Sequence, residues 1–281
     1  MEYEKRIVCF MDILGFKKMV LESTNEEKLR ERIYHCLETT KKVNEAFASN
    51  KYMIRIVPDN TPFEDSKPID TCVESEMSFF SDSVILSYKM NQMRNDLMDL
   101  FMVLNEISYL AFNLAYAGFF IRGGLTYGDI IHKGNLCFGP ALIKAVALEG
   151  KAVYPRISIC PSFFDENSSE SVYHGRKKLN FHNKHYWEER FHCVDASSLE
   201  SREFQSIESI RHNYDLVHYL DFLDAHINGD ERKALHLKSI IEKELMANHP
   251  AHIAEKYEWF RDYFNSVVYN AQCMENAKIV L

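Results

Sequence analysis

Basic residues are the minority charge in this chain: 33 Lys and Arg stand against 41 Asp and Glu, for a formal net charge of -8. That balance argues against extended binding along a nucleic-acid backbone, though a small nucleotide held by metal ions stays compatible with it. The seven cysteines (Cys9, Cys36, Cys72, Cys137, Cys160, Cys193, Cys273) are odd in number and scattered, and no C-x-x-C pair occurs. Neither a disulfide framework nor a zinc module is therefore expected, and a reducing cytoplasm fits best. No run reaches the roughly 18 to 20 apolar residues needed to span a bilayer. The best candidate, from Leu97 to Ile121, is interrupted by Asp99, Asn105, Glu106 and Asn113, so no membrane partner is expected. The opening Met1-Glu2-Tyr3-Glu4-Lys5-Arg6 is charged and runs directly into a strand pattern, with no signal-type apolar region behind it. Internal repeats and low-complexity segments are absent as well.

What the chain does have is material for a core. Its 281 residues are 46% hydrophobic and 13% aromatic, enough for one large domain or one domain with an appendage. Residues 6 to 12 read as a buried strand, and Glu26 to Ala48 as a helix. The stretch 49 to 70, with Pro58, Pro62 and Pro68, reads as a loop-rich excursion carrying a short strand at Met53-Ile54-Arg55-Ile56-Val57. Met77 to Phe80 and Val84 to Tyr88 form a predicted hairpin with Asp82 in the turn. A helix is expected over Asn91 to Tyr116, followed by two strands around a Gly-containing turn within Phe119 to Ile131. Gly139-Pro140-Ala141 then opens a helix that stops near Glu149-Gly150. The order βα, ββ, α, ββ, α implies an α+β layer, an antiparallel sheet with helices on one face. Beyond Ile159 an irregular, His-containing stretch runs to about Arg211. Helical segments near Asn213 to Ile227, Asp230 to Asn248 and Ala251 to Cys273 follow it. The expected division is 1–160 for the catalytic layer and 161–281 for an irregular segment and a helical subdomain.

Two aspartates bear the chemistry. Asp12 ends the apolar run Val8-Cys9-Phe10-Met11, and Asp82 lies between Phe79-Phe80-Ser81 and Ser83-Val84-Ile85-Leu86. A carboxylate in such a setting is costly if buried alone and makes sense as a ligand for a hard cation. After Asp12 the chain passes through Gly15 into a helical pattern, so free backbone N–H groups would lie beside the metal and could receive a triphosphate. Nucleotide chemistry follows from that combination. His174, His182, His185 and His192 match no standard zinc spacing and are not read as a metal site.

The segment from about residue 5 to 160 resembles the catalytic domain of the class III nucleotidyl cyclases, the adenylate and guanylate cyclase family. Phe10-Met11-Asp12-Ile13-Leu14-Gly15-Phe16 is similar to that family's first metal motif, and Ser81-Asp82 to its second, usually Gly-Asp. Ile121-Arg122-Gly123-Gly124-Leu125-Thr126-Tyr127-Gly128 is similar to the strand that normally reads Arg-x-Gly-Ile-x-x-Gly. Phe138-Gly139 with Ala145 and Glu149 is similar to the Trp-Gly helix motif. The resemblance implies a ferredoxin-type α+β layer and two divalent ions, Mn2+ or Mg2+, held by Asp12, Asp82 and the carbonyl of Ile13. It further implies phosphates on the amides of Gly15 and Phe16, and a homodimer with sites at the interface.

The family's base-selecting pair falls on Ser78 and Leu136, which cannot reproduce a Lys and Asp pair, so an altered base pocket is expected. The ribose-orienting Asn aligns with Ile143 and the transition-state Arg with Ala147; another cation must then meet the developing charge. Lys144 and Arg156 are the sequence candidates for it, and Arg122 is a candidate for touching ligand or the dimer mate. With its Tyr-Pro-Arg-Ile segment, the compact chain resembles the pyrimidine cyclases of the bacterial Pycsar anti-phage system. The resemblance implies a nucleoside triphosphate substrate, UTP preferred over CTP, and a product read by a separate cyclic-nucleotide-binding effector. Two alternatives stay open: a purine cyclase with a divergent pocket, and a catalytically silent cyclase-like module that binds nucleotide.

Overall fold

The computed structural model describes residues 2–49, 53–55, 68–70, 73–89, 96–160, 191–192, 219–270 and 274–280. Strand β1 (Glu4–Ile13) lies near the middle of an eight-stranded sheet. After α1 (Phe16–Ser23) and the longer α2 (Glu27–Ser49), the strands β2 (Met53–Arg55) and β3 (Pro68–Asp70) pair as a separate ribbon. The hairpin β4 (Glu74–Phe80) and β5 (Ser83–Lys89) joins β1, and α3 (Asp96–Tyr116) leads to β6 (Ile121–Lys133) on the other side of β1. Next come β7 (Leu136–Phe138), α4 (Pro140–Lys151) and β8 (Ile157–Ile159). The order across the main path is β4-β5-β1-β6-β8-β10-β9, with β7 pairing β6, β9 spanning Phe191–His192 and β10 spanning Tyr219–Leu220. All pairs are antiparallel except β6 with β8.

The α+β class holds, but the helices cover both faces of the sheet and not one, and the C-terminal end contributes α5 (Asp224–Ile227), α6 (Glu231–Met246) and α7 (Ala251–Asn270). Side chains of α6 and α7, among them Leu237, Ile241, Phe260 and Phe264, share one buried cluster with Ile7, Cys9, Met11 and the α3 residues Ile107 and Leu110. Strand alternation sends Val8 to the opposite face, where it meets Ile130, Ala141 and Ala145, with Phe10 packed against them under α4. By the same period of two, Asp12 belongs to the α4 face.

Two further expectations are corrected. The Gly-containing turn inside Phe119 to Ile131 is absent: β6 runs unbroken for 13 residues. Its glycines serve packing, because a Cβ at Gly124 would run into the Ala145 carbonyl oxygen and come within 2.8 Å of the Leu148 Cβ. The helix expected from Asn213 to Ile227 is, in its described part, the strand Tyr219–Leu220 and the four-residue α5. Of the irregular stretch to Arg211 only Phe191–His192 is described, so His174, His182 and His185 lie outside the described residues.

Gly124→Ala should therefore lift α4 from the sheet. We expect a loss of about 1–3 kcal/mol, measured by denaturant unfolding, the usual size of an overpacking error that backbone cannot easily absorb.

A second consequence concerns Glu106 on α3. It is buried and accepts a hydrogen bond from Asn44 Nδ2 at 2.8 Å. Burial pushes its pKa from 4.5 to about 8. Since the folded value is the higher one, protonation favours the fold: the contribution is full below about 4.5 and is lost as pH rises through about 8. Stability measured by denaturant unfolding should fall over that window, and Glu106→Gln should flatten the profile.

Candidate active site

Asp12 sits at the end of β1, opposite Ser83 of β5 and Arg122 of β6 in the strand registers. The Ile13 N–H donates to the Asp82 carbonyl oxygen at 3.1 Å, and the Leu14 N–H to the Phe120 carbonyl at 2.8 Å. Those two bonds tie the end of β1 to the β4–β5 turn on one side and to the start of β6 on the other. The two aspartates, 70 positions apart in sequence, are neighbours as a result.

Their side chains feel one another. Burial first, then the charge of Asp82, raise the pKa of Asp12, while the Arg122 guanidinium pulls it down. Arg122 Nη2 lies 3.4 Å from Asp12 Oδ2 and 2.7 Å from Glu149 Oε1, and Nη1 donates to the Ala152 carbonyl at 3.2 Å. Ser83 Oγ donates to Asp12 Oδ1 at 3.5 Å. Glu149 is also raised, by burial above all and by Asp12 and Asp82 in addition, against Arg122 and Lys256. Three carboxylates thus bear on one another around a single closely paired guanidinium.

The sequence puts Glu149 in a helix motif and gives it no site role. Its delivery follows from α4, whose buried residues are Ala141, Ala145 and Glu149, one stripe at i, i+4 and i+8. The two alanines let the helix approach the sheet over Gly124, and the third position reaches Arg122. Lys256 of α7 was missed as well, because nothing local in sequence says that the tail packs beside β6.

Past Asp12 the chain turns through Gly15, whose φ of 72° is left-handed and whose absent Cβ would meet nothing within 4 Å. Glycine is there for the dihedral angle, not for space. It is the N-cap of α1, no side chain caps the helix, and Phe16, its first residue, is buried in the main cluster. First-turn N–H groups consequently lie just beyond the acid pair.

The other sequence candidates have surroundings of their own. Ser78 is buried; its Oγ donates to the Gly134 carbonyl at 2.6 Å and lies 2.7 Å from His132 Nε2. His132 Nδ1 is 2.8 Å from Ser87 Oγ, and burial lowers its pKa to about 4, so the ring is neutral. Hydrogen-bond bookkeeping then sets the tautomer: Ser78 spends its only proton on Gly134, His132 Nε2–H donates to Ser78, and Ser87 donates to Nδ1. Leu136 is exposed on β7, and Lys144 half-buried on α4. Arg156 is buried, its guanidinium about equally far from the Tyr154, Tyr219 and Trp259 rings, at 5.8, 5.9 and 5.9 Å.

Solved structures similar to this chain include the adenylyl cyclase CyaB from P. aeruginosa, at 15% identity and a TM-score of 0.41 over 58% of this chain and 80% of that one. A bacterial light-regulated adenylyl cyclase is similar at 14% identity and a TM-score of 0.33, over 56% of this chain and 43% of that one. No protein-family model and no curated protein matches the chain.

Whether the site suits a divalent cation is decided by its donors. Among the described residues no group of three or more His, Cys, Asp or Glu is arranged to hold an ion, so a closed all-protein cage is not what this site offers. It offers two adjacent hard carboxylates, Asp12 and Asp82, with mutual repulsion only partly offset by Arg122. That donor set fits ions of the magnesium type, which keep several positions for water and substrate phosphates. Among the described residues no helix is long and apolar enough to cross a membrane.

Proposed function

We propose that this chain is a metal-dependent pyrimidine nucleotide cyclase, converting UTP, with CTP second, to the 3′,5′-cyclic monophosphate and pyrophosphate. One observation carries the reading: the Ile13 N–H to Asp82 carbonyl bond, which puts two carboxylates side by side at the mouth of an uncapped helix. Asp12 and Asp82 would hold the ions, with the Ile13 carbonyl as a further oxygen donor. Bound there, divalent ions supply acidification of the ribose 3′-hydroxyl and charge neutralisation on the departing pyrophosphate.

The chain's own groups do the rest. Amides of Gly15 and Phe16, at the start of α1, donate to phosphate oxygens where the helix dipole favours negative charge. Arg122, gripping Asp12 and Glu149 together, holds the Asp12 carboxylate ionised and aimed. The 3′-hydroxyl gives up its proton to solvent, and its oxygen forms a bond to the α-phosphorus as the bond from that phosphorus to the pyrophosphate oxygen breaks.

Ser78 supports the altered base pocket of this reading. Its proton goes to Gly134 and it accepts the His132 Nε2–H, so it has no donor and at most one lone pair to offer a base N–H. Exposed apolar side chains, among them Ile143 of α4 at 71%, Phe80 at 79% and Leu136 at 54%, support a homodimer that covers them. The signalling role we assign is anti-phage defence, with the cyclic nucleotide read by a separate effector.

A specific observation favours a second reading. Ile143 and Ala147, where the resembled family carries Asn and Arg, are both exposed on α4, as they would be in a silent nucleotide-binding module. Separate reactions of purified protein with ATP, GTP, CTP and UTP plus Mn2+, analysed by mass spectrometry, decide the matter. A cyclic pyrimidine is expected; a cyclic purine would replace the pyrimidine assignment, and binding without product would favour the silent module.

A further inference from the structure

The acid cluster leaves an arithmetic gap. Arg122 pairs with Asp12 and Glu149, Asp82 adds its charge to both of them, and a triphosphate would add several more negative charges, which two divalent ions would offset only in part. A further cation that bears on this cluster is Lys256. It comes from α7, beyond the segment that carries the metal motifs.

Packing contacts on both sides fix its position. One residue before it, Glu255 Oε1 accepts a hydrogen bond from the Tyr154 hydroxyl at 3.0 Å; one residue after it, the Tyr257 ring lies edge-on to Phe120 at 5.3 Å. One turn on, Trp259 stacks on Tyr154 at 5.3 Å and Phe260 meets Phe120 at 4.8 Å. Phe120 is two residues from Arg122 and accepts the Leu14 N–H, and Tyr154 is two residues from Ala152, the carbonyl partner of Arg122. Lys256 is therefore held over the seam where β6, the end of β1 and the exit of α4 converge. It is half-buried, and no described carboxylate comes within ion-pair contact of its ammonium; its interactions with Glu149 and Glu255 act over longer range. Burial, and then the charge of Arg122, lower its pKa. A lysine held near a guanidinium without a close counter-ion is poised to gain an anion.

We propose that Lys256 is a polyphosphate-binding residue of this site, its ammonium donating to the terminal phosphates of the nucleoside triphosphate. The helical tail is then part of the active site and not only its support. The proposal rests on the nucleotide reading of the acid cluster but does not require that the product be cyclic.

Calorimetry with inorganic tripolyphosphate, with UTP and with UMP, each in Mn2+, tests it on the full chain. A charge-assisted hydrogen bond lost from a half-buried site should weaken tripolyphosphate and UTP binding by about tenfold or more in Lys256→Met, and leave UMP unchanged. Lys256→Arg should recover most of the loss. Lys256→Gln, which keeps the length and polarity of the side chain, guards against a packing defect and should behave like Lys256→Met. Unchanged tripolyphosphate affinity in both neutral variants, or an equal loss for UMP, would overturn the proposal. If the tripolyphosphate difference holds while no nucleotide is cyclised, Lys256 stands and the cyclase reading falls.

Discussion

Asp82→Asn is expected to cut turnover about a thousandfold or more, since an ion that stabilises transition-state charge contributes several kcal/mol and about 4 kcal/mol corresponds to that factor. The fold should hardly notice. Asp82 sits in a two-residue turn between β4 and β5, and what it gives the structure is its backbone carbonyl, which accepts from Ile13 and is kept by Asn. Initial rates of cyclic-nucleotide formation and a thermal melt, taken on the same preparation, check both halves. A variant that turns over within tenfold of the parent protein would remove Asp82 from the mechanism.

Divalent metal should also be visible without turnover. A ligand present at a hundred times its dissociation constant stabilises the folded state by about 2.7 kcal/mol. For a chain of this size that is a rise of roughly 5–10 °C in Tm. EDTA should reverse it. Asp12→Asn should abolish the rise while leaving the metal-free protein as stable as the parent or more so, because burial and the neighbouring Asp82 both oppose the Asp12 charge. A metal-induced rise of the same size in Asp12→Asn would place the ions elsewhere.

Much of the fold could be read from period and punctuation. The β1 run, the hairpin around Asp82 and the Gly-Pro start of α4 rest on local signals, alternation and turn residues, and the structure has them at Glu4–Ile13, Glu74–Lys89 and Pro140–Lys151. The glycines of β6 misled because Gly is usually a turn signal; here Gly124 is set by how closely α4 approaches, which depends on Ala145 and Leu148, more than twenty positions away. Tyr219–Leu220 joins the sheet because β8 and β9 lie beside it, a partnership no helical period could reveal.

The same division runs through the site. Asp12, Gly15 and Asp82 were legible because each interrupts an apolar pattern or requires a backbone conformation that other residues resist. Glu149 reads locally as one more acid in a helix; its importance comes from the alanine stripe beneath it and from Arg122 on another strand. Ser78 reads as a small polar residue in a strand, and only the fold reveals that His132 and Gly134 orient its hydroxyl. Lys256 is one exposed-looking cation among many in a tail helix, until Tyr154 and Phe120 anchor the residues on either side of it.

The most direct test is the mass of the nucleotide released when the protein is incubated with an equimolar mixture of ATP, GTP, CTP and UTP in Mn2+, beside Asp82→Asn. We expect a cyclic pyrimidine monophosphate, formed together with pyrophosphate and missing from the variant. A linear mono- or diphosphate as the metal-dependent product, or no product from a protein that binds both Mn2+ and nucleotide, would contradict the assignment of this acid pair to cyclisation.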